Sequence, residues 1–77
     1  MKNILITGAN RGIGLMFAQS FADVVNTVYG TARDINNCDE LKKIKNIEIL
    51  ELDLLDKNSI KSFCAEVKDI PFDLILN

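Results

Sequence analysis

The sequence has no histidine or tryptophan, one proline, one tyrosine and two cysteines among its 77 residues. Without histidine, the side chain most often used as a general base and as a metal ligand is missing. Cys38 and Cys64 are not in a metal-ligand spacing, and two lone cysteines outside a secretory context imply no disulfide. Cys38 reads as a loop thiol and Cys64 as part of a buried helix face, both reduced. No metal site is expected. Long apolar runs are absent as well: the one that begins at Ile4 closes at Gly8, far too short to span a bilayer and without a signal-peptide cleavage pattern. A cytoplasmic protein with no membrane partner is therefore expected. A net charge of −2 argues against a nucleic-acid partner or a polybasic membrane surface.

What is present is the composition of a globular protein, 48% hydrophobic and 26% charged, on a chain long enough for one small domain over residues 1–77. A domain of this size buries only about 60% of the surface its unfolded chain exposes, so its core is small.

Hydrophobic periodicity divides the chain cleanly. Asn3 to Thr7, centred on Ile4-Leu5-Ile6, is a continuous apolar run closed by a glycine, the pattern of a strand buried on both faces. Ile13, Met16, Phe17, Ser20, Phe21 and Val24 recur at helical spacing and predict an amphipathic helix of about three turns, with Asn26 as its left-handed stop. Thr27 to Ala32 predicts a second strand, the polar stretch Arg33 to Asp39 a turn, and Glu40 to Lys45 a turn or two of helix. Ile47 to Leu52 predicts a third strand. Asp56 then offers an N-cap to a helix whose core face is Ile60, Phe63, Cys64 and Val67, ended by Pro71, and Phe72 to Asn77 opens a fourth strand.

Strands alternating with helices imply right-handed βαβ crossovers and a parallel sheet. The expected fold is a Rossmann-type, doubly wound α/β sheet of order 3-2-1-4, incomplete, with its ligand crevice where the winding reverses at the first strand. The fourth strand is nearly all apolar and would leave an open edge, a feature that native domains normally cover or pair. The chain thus reads as interrupted, able to self-associate or to pair with a missing C-terminal portion.

Three of the four glycines, Gly8, Gly12 and Gly14, fall at spacing G-x-x-x-G-x-G between the first strand and the first helix. Gly8 permits a tight exit from the strand, and Gly12 and Gly14 let the backbone approach a pyrophosphate held at the positive helix N-terminus. Thr7 can orient the turn through its hydroxyl. A mere strand-to-helix turn is the alternative, but the context inside a βαβ unit favours a dinucleotide site. A P-loop is excluded, because no Gly-Lys-Ser/Thr follows at the required spacing.

The run Thr7-Gly8-Ala9-Asn10-Arg11-Gly12-Ile13-Gly14 closely resembles the T-G-x-x-x-G-I-G motif of the short-chain dehydrogenases/reductases, Rossmann-fold enzymes that use NAD or NADP. Asp53-Leu54 resembles the family's adenine-contacting acid after the third strand; a plain surface carboxylate is the alternative. Asp73 to Asn77 resembles the strand leading into the family's N-N-A-G motif, of which Asn77 would be the first residue; a purely structural Asn77 is equally open. The resemblance implies that Thr7, Gly8, Asn10, Arg11, Gly12, Ile13, Gly14, Arg33, Asp53, Leu54 and Asn77 hold the cofactor.

The end of the second strand bears on which cofactor. An NAD site usually carries a carboxylate there for the ribose 2′-hydroxyl. Here Ala32 is followed by Arg33, and Arg11 in the turn points to the same region in the enzymes it resembles. Two guanidinium groups suit a 2′-phosphate. NADP is therefore expected, with NAD as the alternative, since Asp34 lies about where the ribose-binding acid would fall; Asp34-Ile-Asn-Asn is instead read as turn chemistry. Surface arginines that touch no ligand are the remaining possibility.

The family's reaction needs a Ser and a Tyr-x-x-x-Lys pair, which in the family lie beyond the N-N-A-G strand. The only tyrosine, Tyr29, is mid-strand and expected to be packed. No catalytic residue is assigned, and the chain alone is expected to be inactive. It reads as the NADP-binding front portion of a hydride-transferring oxidoreductase; the alternatives are a non-catalytic nucleotide-binding module and the product of a truncated or split gene.

Overall fold

A computed structural model describes residues 2–22 and 26–77. The element order is β1 (Lys2–Ile6), α1 (Gly12–Phe21), β2 (Asn26–Ala32), a 3₁₀ turn (Ile35–Asn37), α2 (Asp39–Lys42), β3 (Ile47–Glu51), α3 (Lys57–Val67) and β4 (Leu74–Leu76). The strands form one parallel sheet of order β3-β2-β1-β4, as the alternation of elements predicted.

Register explains the two faces. Ile4 pairs with Val28, and Val28 with Ile47; two rungs on, Ile6 pairs with Gly30 and Gly30 with Ile49. Paired residues share a face and successive residues along a strand switch it. The face carrying Ile4, Ile6, Val28 and Ala32 is sealed by Ala9, Ala18, Cys38 and Leu41, with Leu15, Phe21 and Ala22 of the α1 segment packed around them. The opposite face carries Leu5, Tyr29 and Thr31. α3 lies along β3 and buries Phe63, and Phe72 meets the Tyr29 ring edge-on at 5.3 Å.

Five details depart from the sequence expectation. The inner face of α1 is made by Leu15, Ala18, Phe21 and Ala22, whereas Ile13 and Met16 are 70% and 64% exposed and Phe17 is also exposed. Ala18 is the α1 residue fully buried against the sheet, with Leu15 and Phe21 packed partly buried beside it. Val24 lies outside the described residues. Asn26 is the first residue of β2, not a helix stop, and its side-chain amide donates to the Phe21 carbonyl (3.2 Å). α3 ends at Val67, ahead of Pro71. The two cysteines exchange roles: Cys64 is exposed, and Cys38 is buried with its Sγ donating to the Asp34 carbonyl (3.2 Å). β4 is shorter than expected because Asp73 is used to clamp its start. The Asp73 carboxylate accepts from the Asn3 amide and the Asp73 amide donates to the Asn3 carbonyl, both at 2.8 Å.

No described helix is long and apolar enough to cross a membrane, and no metal-binding cluster of His, Cys, Asp or Glu occurs among the described residues. Ile75 on the β4 edge is 59% exposed.

Candidate functional site

The crossover from β1 leads to β2 on one side and the sheet continues to β4 on the other, so the winding reverses at β1. The space above such a reversal, at the carboxyl ends of the strands, is where doubly wound sheets form a crevice. A cavity of about 630 Å³ lies there.

The turn after β1 forms the cavity's floor, and each of its glycines has its own physical reason. Gly8 and Gly12 have φ of +61° and +62°, a left-handed conformation that costs residues with a Cβ about 1–2 kcal/mol. A Cβ at either would meet no protein atom within 4 Å. Gly14 is different. Its Cβ would be driven into the Gly8 carbonyl oxygen and would lie 2.9 Å from the Gly8 carbonyl carbon. Gly14 therefore lets α1 start directly against the turn, which is a packing requirement and not the open approach that its position in the motif suggested. Gly30 serves the same closeness from below, since a Cβ there would stand 3.0 Å from the Ala9 methyl.

The turn is pinned at three successive amides. The Thr7 amide donates to the Leu76 carbonyl (3.0 Å), the Gly8 amide to the Thr31 hydroxyl (3.1 Å) and the Ala9 amide to the Thr31 carbonyl (2.8 Å). The start of α1 then follows with no side-chain cap and no acidic residue in its first turn. The first amides of a helix have no intrahelical acceptor, and with the dipole they make a position that favours an anion.

All the residues expected to hold a ligand line this cavity except Asn77: Thr7, Gly8, Asn10, Arg11, Gly12, Ile13, Gly14, Arg33, Asp53 and Leu54. Asn77 contributes from behind, its side-chain oxygen accepting a 2.6 Å hydrogen bond from the Thr7 hydroxyl. The hydroxyl expected to orient the glycine turn instead ties β1 to the end of β4. Leu52, Leu55 and Thr31 also border the cavity and were not anticipated. Thr31 was hidden inside a strand pattern in which a β-branched residue needs no further explanation. Its signal was that it is the buried polar residue of an otherwise apolar inner stretch.

A smaller recess of about 170 Å³ opens beside the main cavity and is bordered by Asn10, Arg11, Arg33, Asp34 and Asn37. It brings together the two arginines that sequence reasoning had paired. Asp34, the competing acid, is engaged in its own turn: its carboxylate caps the 3₁₀ turn by accepting from the Asn36 amide (2.9 Å), and its carbonyl accepts from the Asn37 amide and from Cys38 Sγ. That is the turn role expected of it.

Asp53 is likewise held by local bonds. Its amide donates to the Ser59 hydroxyl (2.8 Å), and one carboxylate oxygen accepts from the Leu55 amide (3.0 Å). Asp56 caps α3 by accepting from the amides of Asn58 and Ser59. The start of α3 thus fixes the loop that carries Asp53, Leu54 and Leu55 across the rim of the cavity.

A parallel sheet of order 3-2-1-4 with a glycine turn and a bare helix start at its reversal point defines a Rossmann-type domain. The family model for short-chain dehydrogenases matches residues 2–75, and this chain belongs to that family. It is 35% identical over 80 residues to 3-amino-tetrahydro-pyrrolizinone reductase of Xenorhabdus hominickii, a match over 99% of this chain and 27% of that protein. It superimposes with a TM-score of 0.79 on a short-chain dehydrogenase of Streptomyces avermitilis, at 30% identity over 97% of this chain and 30% of the other. RhlG of Pseudomonas aeruginosa, solved as a complex with NADP, is 25% identical with a TM-score of 0.77, over 96% of this chain and 31% of that one. The chain therefore spans between a quarter and a third of the length of these relatives.

Proposed function

We propose that these residues form the NADP-binding part of a dehydrogenase/reductase that moves hydride between the nicotinamide and a carbonyl or alcohol. One observation carries the cofactor choice: Arg11 and Arg33 border a single recess that adjoins the glycine-turn cavity, and Asp34, which borders the same recess, commits one carboxylate oxygen to capping its own turn. An arginine pair suits a 2′-phosphate, and a free carboxylate in that place would suit a 2′-hydroxyl.

The residues fit such a group physically. Gly12 leaves open space where a Cβ would intrude on the cavity, and the α1 start has no side-chain cap and no acidic residue in its first turn. In this reading the turn from Gly8 to Gly14, with Asn10 and Ile13, holds the pyrophosphate. Arg11 and Arg33 hold the 2′-phosphate, and Asp53 and Leu54 border the adenine. Asn77 acts through Thr7, keeping β4 in register with the turn. When bound, the cofactor supplies or accepts the hydride. None of the 77 residues is assigned to proton transfer: Tyr29 is half-buried against the Phe72 ring, and no Tyr-x-x-x-Lys pattern occurs in the sequence. Carbonyl reduction by these residues alone is not expected.

The test is a calorimetric titration with NADPH and with NADH. Tighter binding of NADPH that is lost in the Arg11→Ala/Arg33→Ala double variant is expected. Equal affinity for the two cofactors before and after the substitutions would refute the assignment.

A further inference from the structure

The glycine turn has to be held in one shape for its amides to meet an anion, and the residue that holds it lies outside the motif. Thr31 is 2% exposed and sits on β2, next to β1 in the sheet. Its hydroxyl accepts from the Gly8 amide and its carbonyl accepts from the Ala9 amide. The Thr7 amide is taken by the Leu76 carbonyl. The three amides that leave β1 are therefore all engaged by the sheet before the chain reaches Asn10. Past that point the α1 start carries no side-chain cap.

On the dinucleotide reading above, we infer that Thr31 is a positioning residue for the pyrophosphate. By claiming the amides of Gly8 and Ala9 it sets the direction in which the turn leaves the sheet, and so aims the amides of the following residues into the cavity that Thr31 itself borders. A backbone carbonyl can be supplied by any residue, but the hydroxyl acceptor cannot. Valine has nearly the shape of threonine and would leave the Gly8 amide without its partner, whereas serine would keep the acceptor. Gly8 sits at positive φ, where the backbone has little steric restraint of its own, so losing this bond frees the turn.

The experiment compares NADPH with adenosine 2′-monophosphate, which carries the adenine, ribose and 2′-phosphate but no pyrophosphate. Both are titrated into the unsubstituted chain, Thr31→Val and Thr31→Ser. Thr31→Val is expected to weaken NADPH binding about tenfold, the scale of one lost hydrogen bond. Adenosine 2′-monophosphate should bind all three proteins alike, and Thr31→Ser should restore NADPH binding to within about twofold of the unsubstituted chain. An equal loss for both ligands, or no loss for either, would overturn the inference. If the unsubstituted chain bound neither ligand, the dinucleotide reading itself would fail, a result distinct from the others. Should Thr31→Val not fold, amide exchange of Gly8 in the unsubstituted chain reads the same bond. Protection is expected, and a freely exchanging Gly8 amide would overturn the role.

Discussion

Replacing Gly14 with alanine tests whether the helix start is seated directly on the turn. The added Cβ would lie 2.9 Å from the Gly8 carbonyl carbon and 3.2 Å from the Ala9 Cα, with the Gly8 oxygen closer still. Relaxed carbon–carbon contacts lie at about 3.5–4.0 Å. The obstructing atoms are all backbone, so no side chain can rotate away and α1 must retreat from the turn by more than about 0.5 Å. Overpacking of this kind costs about 1–3 kcal/mol, and backbone obstruction puts Gly14→Ala toward the upper end. Alanine returns up to about 1 kcal/mol of helix propensity, less in a first turn. A net loss of about 2 kcal/mol follows, a large part of the roughly 4–12 kcal/mol available to a domain of this length. It corresponds to a fall in Tm of about 8–16 °C. Gly12→Ala is the control: it meets no atom within 4 Å and should cost only the strain of its φ of +62°, about 1–2 kcal/mol. Thermal and urea unfolding followed by circular dichroism at low protein concentration measures both. Gly14→Ala unfolding at the same midpoint as the unsubstituted chain, with the same m-value, would refute the argument.

Other expectations rest on different parts of the molecule. Asp56→Ala removes the acceptor for the amides of Asn58 and Ser59 and should lower stability by about 1 kcal/mol, read as a shift in urea midpoint; an unchanged midpoint would show that the cap contributes nothing. A thiol reagent under native conditions should modify Cys64 quickly and Cys38 only on unfolding, since Cys38 is 1% exposed; two equally fast thiols would contradict the burial. The apolar surface at Ile13, Met16, Phe17 and Ile75 should drive association as concentration rises, and Ile75→Lys on the β4 edge should reduce it in sedimentation velocity. A monomer at all concentrations in both proteins would count against that expectation.

The sheet order was legible because each strand carried its own signal: a continuous apolar run in β1, β-branched and aromatic density in β2, and glycine or turn residues between the elements. The glycine turn was legible for the same reason, since positive φ at Gly8 and Gly12 and backbone contact at Gly14 leave little choice of residue. The inner face of α1 was not. Helical spacing selected Ile13, Met16 and Phe17 along with Phe21, but the helix is turned so that Leu15, Ala18 and Phe21 meet the sheet, and that rotation is a tertiary fact. Thr31 was missed because its work depends on which backbone lies across from it, Gly8, 23 residues away. Asn77 and Thr7 were both named, yet their 2.6 Å bond joins two strand ends 70 residues apart and could not be read from either alone. The exposure of Cys64 follows from how little of α3 touches the sheet, chiefly Phe63 with flanks at Ile60 and Val67.

The most direct test of the central claim is the difference in affinity between NADPH and NADH for the unsubstituted chain, measured by calorimetry at two salt concentrations. Tighter binding of NADPH, with an advantage that shrinks as salt screens Arg11 and Arg33, is the result that two arginines on one recess predict. Binding of neither dinucleotide, or a preference for NADH indifferent to salt, would contradict it.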